Sequence, residues 1–330
     1  MKARIALLFG GDSAEHDVSV MGYGYVKKLL DGKKFDVLPV YVSKDGSWYL
    51  GGEGGKRAYL SGYLGGSLYT DDGFTKIDAA IPLLHGKGGE DGRIQGALEE
   101  AGIAYVGADV GTSAVCIDKS YTKRIVASLG IPTLDEVTFT HEKDTKEALT
   151  KCLSLLDFPM FIKPRRLGSS VGAYPVYDEA DFMRLFPLSM REGKCLVTVE
   201  RMLTEKRELE CAFCEINKKR IITPPGEILI DGFYGYGEKY GGGTAIAPVA
   251  EIDASVARRA ADYSDKIADA LSLRHLSRID FFLSGGKLIF NEVNTFPGFT
   301  SDSLYPKMLI AASINPAEAL ISFVEDALSC

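Results

Sequence analysis

Four polar side chains near the C-terminal end of the chain could bind a metal ion together with phosphate groups. Arg278 and Asp280 lie in the apolar run SRIDFFL, and Glu292 and Asn294 lie in the run KLIFNEVN. Carboxylate and amide oxygens suit Mg²⁺ bound with substrate phosphates, and a guanidinium can bind a phosphoryl oxygen through two hydrogen bonds. The same residues also fit a solvated strand face on which Arg278 pairs with Glu292. The cluster alone leaves both interpretations open.

The turn between the two runs predicts how these side chains meet. Ser284-Gly285-Gly286 favours a β-hairpin in which Leu283 lies close to Lys287. Every second residue of a strand points to the same face. The arginine and the aspartate of one strand should therefore converge with the glutamate and the asparagine of the other.

Two loops elsewhere supply groups that bind anions. The loop NTFPGFTSDS begins at Asn294, and its Gly298 can bring a backbone N–H against a small anion. The strand-like run PMFIKP contains Lys163 and precedes RRLGSSVG, a donor-rich loop that could cover triphosphate oxygens. The spacing is neither that of a P-loop nor that of a dinucleotide fold, and a snorkelled lysine before a glycine turn is the structural alternative.

The elements that would position these groups begin with a sheet in the first hundred residues. Strand-like runs alternate with two helical stretches there, over 18–30 and in RIQGALEEAG. This alternation is typical of a parallel sheet covered by helices, which binds ligands in the loops beyond its strand ends. Gly10-Gly11 and the segment from His85 to Gly92 are the loops predicted for that role.

Two further segments of mixed α and β structure follow. One helix should run from near Ser113 through Asp118 to the break at Gly130. The predicted elements after PMFIKP are the strands AYPVY, CLVTVERML, RELECAFCEI and KRIITP, a glycine- and tyrosine-rich loop over 232–244, a helix over 255–270, the hairpin and a C-terminal helix from about 317. The fold class is therefore α/β and α+β, in three segments.

Composition argues against several classes of protein. The 330 residues are 46% apolar and 25% charged, and a net charge of -7 gives no general attraction for nucleic acid or anionic membranes. No run approaches the roughly 18 apolar residues of a membrane span, which predicts a cytoplasmic protein. Cys211 and Cys214 have C-x-x-C spacing, but on a strand they point to opposite faces, so buried thiols are expected rather than zinc ligands.

With these residues in hand, the sequence resembles the D-alanine–D-alanine ligases of the ATP-grasp superfamily over nearly its whole length. The motifs occur in the family's order: GGDSAEHDVS, LLHGKGGEDGRIQGALE, YVG with IDK, FIKP with GSSVG, GEKYGG, SRID and NEVNTFPGFTSDSLYP. The resemblance implies a three-domain ATP-grasp fold. Its expected parts are an N-terminal Rossmann-like domain (1–110), a small central domain (111–196) and a C-terminal domain with a covering loop and the metal site (197–330).

The resemblance also implies a reaction in two steps. The carboxylate of one D-alanine attacks the γ-phosphoryl group of ATP to give D-alanyl phosphate, and the amine of a second D-alanine then displaces phosphate. The expected cofactors are ATP and two Mg²⁺ ions, with Mn²⁺ as a substitute, and a homodimer is the family's tendency. Phosphoryl transfer of this kind depends on positioning and charge neutralisation, which explains the need for cations and metal.

Site residues carry over from the family's motifs position by position. The implied catalytic residues are Glu15, Ser169, Tyr240, Arg278 and Gly298, and the implied substrate-binding residues are Glu15, His85, Ser303 and Leu304. The implied ATP-binding residues are Lys119, Lys163, Ser169, Ser170, Glu200, Leu203, Glu208, Phe233 and Lys239, and the implied metal ligands are Asp280, Glu292 and Asn294. Glu15 as a helix cap and His85 as a satisfied loop histidine are the structural alternatives.

Two positions depart from the family's pattern. The ribose-binding glutamate usually follows the hinge glutamate by seven positions, but Glu208 follows Glu200 by eight. Gly235 stands where the family usually has aspartate, and the extra glycines of FYGYGEKYGGGTA suggest a mobile lid.

The second substrate is predicted from Leu304. Relatives that use D-serine tend to have arginine there, whereas leucine leaves a methyl-sized apolar pocket without a partner for a hydroxyl. The prediction is D-alanine in both positions. The alternatives are a D-alanine–D-serine ligase and a catalytically inactive, nucleotide-binding regulator with the same fold.

Overall fold

The first sheet of the protein contains eight strands and carries two helices at its parallel strands. A computed structural model describes residues 2–32, 34–62, 65–229 and 245–329. The strand order is β6-β5-β4-β3-β2-β1-β7-β8. The bounds are β1 (Arg4–Gly10), β2 (Asp36–Val42), β3 (Trp48–Leu50), β4 (Lys56–Ser61), β5 (Ser67–Thr70), β6 (Gly73–Lys76), β7 (Ala79–Leu83) and β8 (Ala104–Tyr105), with α1 (His16–Leu30) and α2 (Arg93–Glu100).

The parallel part of this sheet matches the sequence prediction, and the antiparallel part was not foreseen. β1 pairs in parallel with β2 and β7, and β7 pairs in parallel with β8. β2 to β6 form an antiparallel meander. Because β1 and β7 are parallel neighbours, the loops that follow them, from Gly10 and from Leu84, leave the same edge of the sheet.

The second sheet has four antiparallel strands in the order β11-β10-β12-β9. Phe139, Phe182 and Phe186 pack on one face of it as stacked and edge-to-face rings. The bounds are β9 (Glu136–Thr140), β10 (Met160–Pro164), β11 (Tyr174–Val176) and β12 (Leu196–Arg201), with α3 (Val110–Cys116), α4 (Lys119–Ser128), α5 (Thr145–Leu153) and α6 (Glu179–Glu192).

The single helix predicted from Ser113 to Gly130 is wrong, because the chain forms α3 and α4 there. Asp118 separates the two helices and has extended backbone angles. Its side chain accepts a hydrogen bond from the backbone N–H of Tyr121, so it is the N-cap of α4. The helix break puts Lys119 at the first position of a new helix.

The third sheet has the order β16-β15-β13-β17-β18, and β14 pairs with β13. The bounds are β13 (Arg207–Ile216), β14 (Lys219–Ile222), β15 (Gly226–Leu229), β16 (Ala245–Ala247), β17 (Leu276–Ser284) and β18 (Lys287–Asn294), with α7 (Ala254–Ala270), α8 (Leu304–Ala311) and α9 (Pro316–Ser329). The domain boundaries at 110/111 and 196/197 stay predictions. β12, which starts at Leu196, belongs to the second sheet.

The two cysteines of the C-x-x-C run are buried on opposite faces of β13. Cys211 packs in the core cluster with Ile267 and Phe281, and Cys214 packs in a different cluster with Tyr305 and Phe323. Burial raises the pKa of each thiol to about 12. The prediction of buried thiols is confirmed.

No single helix within the described ranges is long and apolar enough to cross a membrane. The bent pair α8 and α9, whose axes turn by 102°, passes that test by length and composition together. Both helices contribute buried side chains to the largest core cluster, including Tyr305, Leu309, Leu320 and Phe323.

Candidate active site

The hairpin of β17 and β18 brings the four polar residues together through a β-bulge. Gly285 and Gly286 have positive φ values of 54° and 74°, and the hairpin pairs Ser284 with Lys287. Leu283 pairs with Leu288 and so lies next to the position opposite Lys287, as the sequence predicted. The register then shifts between Asp280 and Phe281. The result is that Arg278 pairs with Asn294 and Asp280 pairs with Glu292.

The bulge decides which face carries Glu292 and Asn294. Without it, the register set by the turn would place Glu292 opposite Ile279, on the face that packs in the core. With it, both residues lie on the face of Arg278 and Asp280. The convergence that the sequence predicted is present, although the register that produces it is different.

Asp280 lies at the centre of this cluster. Arg278 donates to its two oxygens from Nε and Nη2, both at 2.8 Å. The Asn294 side-chain amide donates to Oδ2 at 3.0 Å, and Glu210 of β13 lies 3.1 Å from Arg278 Nε. Burial opposes the charge on Arg278, but the carboxylates of Asp280 and Glu210 outweigh it and raise the pKa further. Arg278 is therefore a permanently charged group at the floor of the site.

The donor set of Asp280, Glu292 and Asn294 fits a hard divalent cation. Within the described ranges, no group of three His, Cys, Asp or Glu side chains is arranged to hold a metal ion. The predicted set has two carboxylates and an amide, all beside a cavity and with oxygens as their potential ligand atoms. Each carboxylate of this set forms an ion pair with a basic side chain of the protein. Arg278 donates to Asp280, and Lys119 Nζ lies 3.1 Å from Glu292 Oε2.

A buried ion cluster fixes Lys119 at the edge of the site. Asp118, which is fully buried, accepts hydrogen bonds from Nε and Nη2 of Arg165 at 2.8–3.0 Å and from Arg166 Nε at 2.8 Å. Lys119 donates from its backbone N–H to the Arg165 carbonyl and from Nζ to the Leu167 carbonyl, at 3.0 and 2.9 Å. The start of α4 is thereby attached to the loop that follows β10.

Two lysines surround the carboxylate of Glu200. Lys163 Nζ of β10 lies 2.6 Å from Oε1, and Lys123 of α4 bonds Oε2 and lies 3.3 Å from Glu136 Oε2. Burial would raise the pKa of Glu200, but the two ammonium groups outweigh it and lower the pKa to about 2. Burial lowers the pKa of Lys163. Lys163 faces the cavity, whereas Lys123 lies behind it.

Glu15 lies between β1 and α1 and contacts the loop that follows β10 of the second sheet. Ser169 Oγ donates to Glu15 Oε1 at 2.6 Å. Glu15 occupies the N-cap position of α1 but makes no side-chain capping bond, so its carboxylate is not a helix cap. Ser169 and Ser170 have positive φ values of 53° and 59°, a strained conformation that often marks ligand-binding loops. Gly86 allows Glu15 to lie so close, because a Cβ there would clash with Oε2.

His85 and Glu90 hold the loop that follows β18. His85 Nδ1 donates to the Phe296 carbonyl at 3.0 Å, and burial lowers the pKa of His85, which keeps it neutral. Its Nε2 atom has no hydrogen-bond partner among the described residues and is therefore an acceptor beside the cavity. Glu90 accepts from the backbone N–H groups of Gly86 and Phe296, and burial, assisted by the charge of Glu15, raises its pKa to about 7.

Gly298, Ser303 and Leu304 form the far end of the site. Ser303 Oγ lies 2.8 Å from Thr300 Oγ1 and accepts from the Thr300 N–H at 3.1 Å. A Cβ at Gly298 would lie 3.1 Å from Ser303 Oγ, so only glycine fits there without displacement. Ser303 is the N-cap residue of α8, and the free N–H groups of a helix N-terminus favour an anion. Leu304, which is 7% exposed, adds an apolar wall.

One cavity of about 960 Å³ lies between the three sheets. The predicted residues that line it are Glu15, His85, Lys119, Lys163, Ser169, Ser170, Glu200, Leu203, Glu208, Arg278, Asp280, Glu292, Asn294, Gly298, Ser303 and Leu304. Phe233, Lys239 and Tyr240 lie outside the described residues. Glu208, near the start of β13, accepts a hydrogen bond from Lys206 Nζ at 2.5 Å. The roles of all of these residues stay predictions.

Several residues that shape the site were not singled out from the sequence. They are Glu90, Arg165, Arg166 and Glu210, and Asp118 was named only as part of a helix. A signal existed for Glu210, because it is a charged residue inside the apolar run RELECAFCEI. Glu90 gave no such signal, since acidic residues are ordinary in a glycine-rich loop.

The fold and this site define a class of protein, an ATP-grasp ligase, and comparisons with known proteins give the family. The D-ala D-ala ligase N-terminus model matches residues 4–108, and the D-ala D-ala ligase C-terminus model matches residues 125–325. A D-alanine–D-alanine ligase of Thermoanaerobacter sp. is 38% identical over 93% of this chain and 91% of its own length.

Comparison with solved structures gives the same family. The chain is similar to D-alanyl-alanine synthetase A from Vibrio cholerae, with a TM-score of 0.91, 33% identity and coverage of 100% of this chain and 99% of the other. It is also similar to the VanG D-Ala:D-Ser ligase from Enterococcus faecalis, with a TM-score of 0.89, 31% identity and coverage of 99% and 100%. The chain belongs to the D-alanine–D-alanine ligase family. The predicted ATP-grasp fold and the prediction of an ATP-dependent ligase are confirmed.

Proposed function

We propose that this enzyme joins two molecules of D-alanine to D-alanyl-D-alanine for peptidoglycan precursor synthesis. One observation carries the proposal: a single cavity has a carboxylate held by a serine at one side, the cations Lys119, Lys163 and Arg278 along its walls and a helix N-terminus at its far end. An amino acid carries an ammonium and a carboxylate, and ATP carries phosphates, so this charge arrangement matches both substrates.

The first step transfers the γ-phosphoryl group of ATP to the carboxylate of the first D-alanine. Glu15, oriented by Ser169, binds the ammonium group of that D-alanine, and neutral His85 accepts a hydrogen bond near it. Lys119 and Lys163 approach the phosphates from α4 and β10. Lys163 can turn from Glu200 to the nucleotide at low cost, because Lys123 still compensates the charge of Glu200. The products of this step are ADP and D-alanyl phosphate.

In the second step, the amine of the second D-alanine attacks the acyl carbon, and phosphate leaves with the acyl C–O electron pair. Arg278 and the Gly298 N–H stabilise the negative charge on the carbonyl oxygen of the tetrahedral intermediate. Ser303 and the N-terminus of α8 bind the carboxylate of the incoming D-alanine. The attacking amine loses one proton, and the product is D-alanyl-D-alanine.

Asp280, Glu292 and Asn294 would hold the Mg²⁺ ions, two by analogy with the family and replaceable by Mn²⁺. When bound, such ions neutralise phosphate charge and orient the γ-phosphoryl group. The protein's own part is to present oxygen ligands on adjacent strands, with Arg278 and Lys119 balancing the carboxylates. Arg278 thereby reaches both the metal ligands and the reacting carbonyl.

Leu304 supports D-alanine as the second substrate. Its side chain packs beside Gly226 and Met308, which leaves apolar atoms next to the side chain of the incoming amino acid. D-serine would bury a hydroxyl without a partner there. D-serine is nevertheless the second candidate, since a D-Ala:D-Ser ligase is among the similar structures.

A competition experiment separates the two candidates. The enzyme is incubated with ATP, Mg²⁺, D-alanine and an equal concentration of D-serine or D-lactate, and the products are measured by mass spectrometry. We expect D-alanyl-D-alanine to dominate by about tenfold or more, since a missing hydrogen-bond partner costs roughly 1–3 kcal/mol. A mixed product in excess would contradict the assignment of the second substrate while leaving the ligase activity established.

The assembly and the location of the enzyme are also inferred. The homodimer is inferred from the tendency of the family. Five free cysteines in the part of the chain that the structure describes support a reducing compartment such as the cytoplasm. The acidic net charge gives no support to nucleic-acid or membrane partners. Sedimentation at several concentrations measures the oligomeric state.

A further inference from the structure

Glu90 connects two loops that come from different sheets. It lies in the loop between β7 and α2 and is 9% exposed. Its Oε2 atom accepts from the Gly86 N–H at 2.8 Å within its own loop, and Oε1 accepts from the Phe296 N–H at 2.9 Å in the loop after β18. Both oxygens of the carboxylate are therefore bonded to backbone donors.

The Phe296 peptide groups are held from the same side by a second residue. His85 Nδ1 donates to the Phe296 carbonyl at 3.0 Å, so both polar backbone atoms of Phe296 bond side chains of the 85–90 loop. Gly298, whose N–H is proposed to stabilise the oxyanion, follows Phe296 by two residues, with Pro297 between them. The fixed φ of proline transmits the position of Phe296 to Gly298.

We propose that Glu90 is a positioning residue for the second step, because it holds the 295–298 loop where the Gly298 N–H meets the carbonyl oxygen of the acyl phosphate. This inference rests on the proposed function. In this proposal Glu90 acts through the loop rather than on the substrate, because each of its oxygens accepts a hydrogen bond from a backbone N–H group. It must be a carboxylate rather than an amide, because a glutamine in the same place would turn an NH₂ group toward one of the two backbone N–H donors.

The test is Glu90→Gln in the full chain, with Glu100→Gln as the control. Glu100 is also acidic and lies at the exposed end of α2. For Glu90→Gln we expect kcat for dipeptide formation to fall by about 10- to 100-fold, since loss of one oxyanion donor costs about 10²–10³-fold and a displaced donor costs less. The KM for ATP should change by less than about twofold, and Glu100→Gln should leave both constants unchanged.

A partial reaction distinguishes positioning from general damage. Reversible formation of D-alanyl phosphate moves ¹⁸O between the bridging and non-bridging positions of the β-phosphate of labelled ATP, and this step does not need the Gly298 N–H at the tetrahedral intermediate. In Glu90→Gln, isotope exchange should persist while dipeptide formation falls. Equal losses in exchange and in ligation, or an unchanged kcat, would overturn the proposal.

Failure of the proposed function and failure of the role proposed for Glu90 give different results in this experiment. If the unaltered enzyme makes no D-alanyl-D-alanine, the proposed function fails, whereas a normal enzyme with a normal variant refutes only the role of Glu90. If Glu90→Gln does not fold, Glu90→Asp replaces it, because aspartate keeps both acceptor oxygens but is one methylene shorter. Glu90→Asp should show the same preferential loss of ligation over exchange, and equal losses would again overturn the proposal.

Discussion

Glu292 shows how close together the groups proposed to bind metal and those proposed to bind phosphate lie. Its carboxylate lies 3.1 Å from Lys119 Nζ, and the bulge in β18 turns it toward Asp280. Asp280 likewise accepts from Arg278 and from Asn294. A charge change at one position therefore alters the groups proposed to bind metal and those proposed to bind phosphate. A charge change at one of these residues should therefore lower activity more than it lowers the free energy of unfolding.

Glu292→Gln tests this sensitivity. The amide keeps the volume but removes the negative charge, so turnover should fall by about two orders of magnitude or more because the metal contact weakens. The free energy of unfolding and the Kd for nucleotide should change little. Steady-state kinetics, denaturant unfolding and nucleotide titration measure the three quantities. Glu318→Gln, an exposed residue of α9, is the control, and unchanged kinetics in Glu292→Gln would make the cluster a structural one.

Much of the site could be predicted from residue types. The contacts made by ordinary loop residues could not be predicted in this way. Asp280, Glu292 and Asn294 could be predicted because charged residues at alternate positions of an apolar hairpin are unusual. Glu90 could not, because its partners are backbone N–H groups of Gly86 and of the distant Phe296. Such bonds leave no pattern of side-chain types in the sequence.

At the scale of the elements, the start of α4 shows how a loop is fixed without regular pairing. Asp118 is both the N-cap of α4 and the acceptor for Arg165 and Arg166. The sequence suggested one continuous helix, since no proline or glycine interrupts residues 113–129. The break follows from this buried ion cluster, a tertiary interaction that local periodicity cannot report. The bulge in β18 was missed for the same reason.

Asp118→Asn should therefore be costly even though asparagine is a good N-cap. Loss of the negative charge leaves the buried Arg165 guanidinium uncompensated, which should lower the free energy of unfolding by about 3 kcal/mol. The KM for ATP should rise several-fold because Lys119 and the loop after β10 lose their attachment. Urea unfolding and kinetics check both values. Asp178→Asn, at the exposed N-cap of α6, should cost less than about 0.5 kcal/mol, and an equal cost in both variants would contradict this account.

At the scale of the whole molecule, the site exists only because three sheets meet at one cavity. His275 makes one of the contacts that join these parts of the molecule. Its Nδ1 accepts from the Gly107 N–H at 2.9 Å, next to the first sheet, and its Nε2 lies 3.2 Å from Asp326 Oδ2 on α9. Burial lowers the pKa of His275 to about 4. The sequence predicted the three segments but not these contacts, since residues distant in sequence make them.

The lowered pKa of His275 predicts an acid-dependent loss of stability. The unfolded chain binds a proton at this histidine below about pH 6.5, whereas the folded chain does so only near pH 4, so stability falls as the pH drops between these values. At pH 5.5 the contribution of His275 to this loss should be about 1.4 kcal/mol relative to pH 7.5. Denaturant unfolding at the two pH values measures it.

His275→Asn should reduce the pH dependence by that amount, although the variant is less stable at pH 7.5. His141→Asn is the control, because it removes an exposed histidine in the same way. A His275 variant with the same pH dependence as the unaltered enzyme would show that its titration does not contribute.

The most direct test of the central claim is the stoichiometry of the reaction with D-alanine as the sole amino acid. The enzyme, ATP and Mg²⁺ should release ADP and phosphate only when D-alanine is added, and D-alanyl-D-alanine should form in a ratio of one dipeptide to one ADP and one phosphate. The ratio follows from one acyl phosphate formed and consumed for each bond made. Binding of ATP without any D-alanine-dependent release of phosphate would contradict the claim and identify a nucleotide-binding protein without ligase activity.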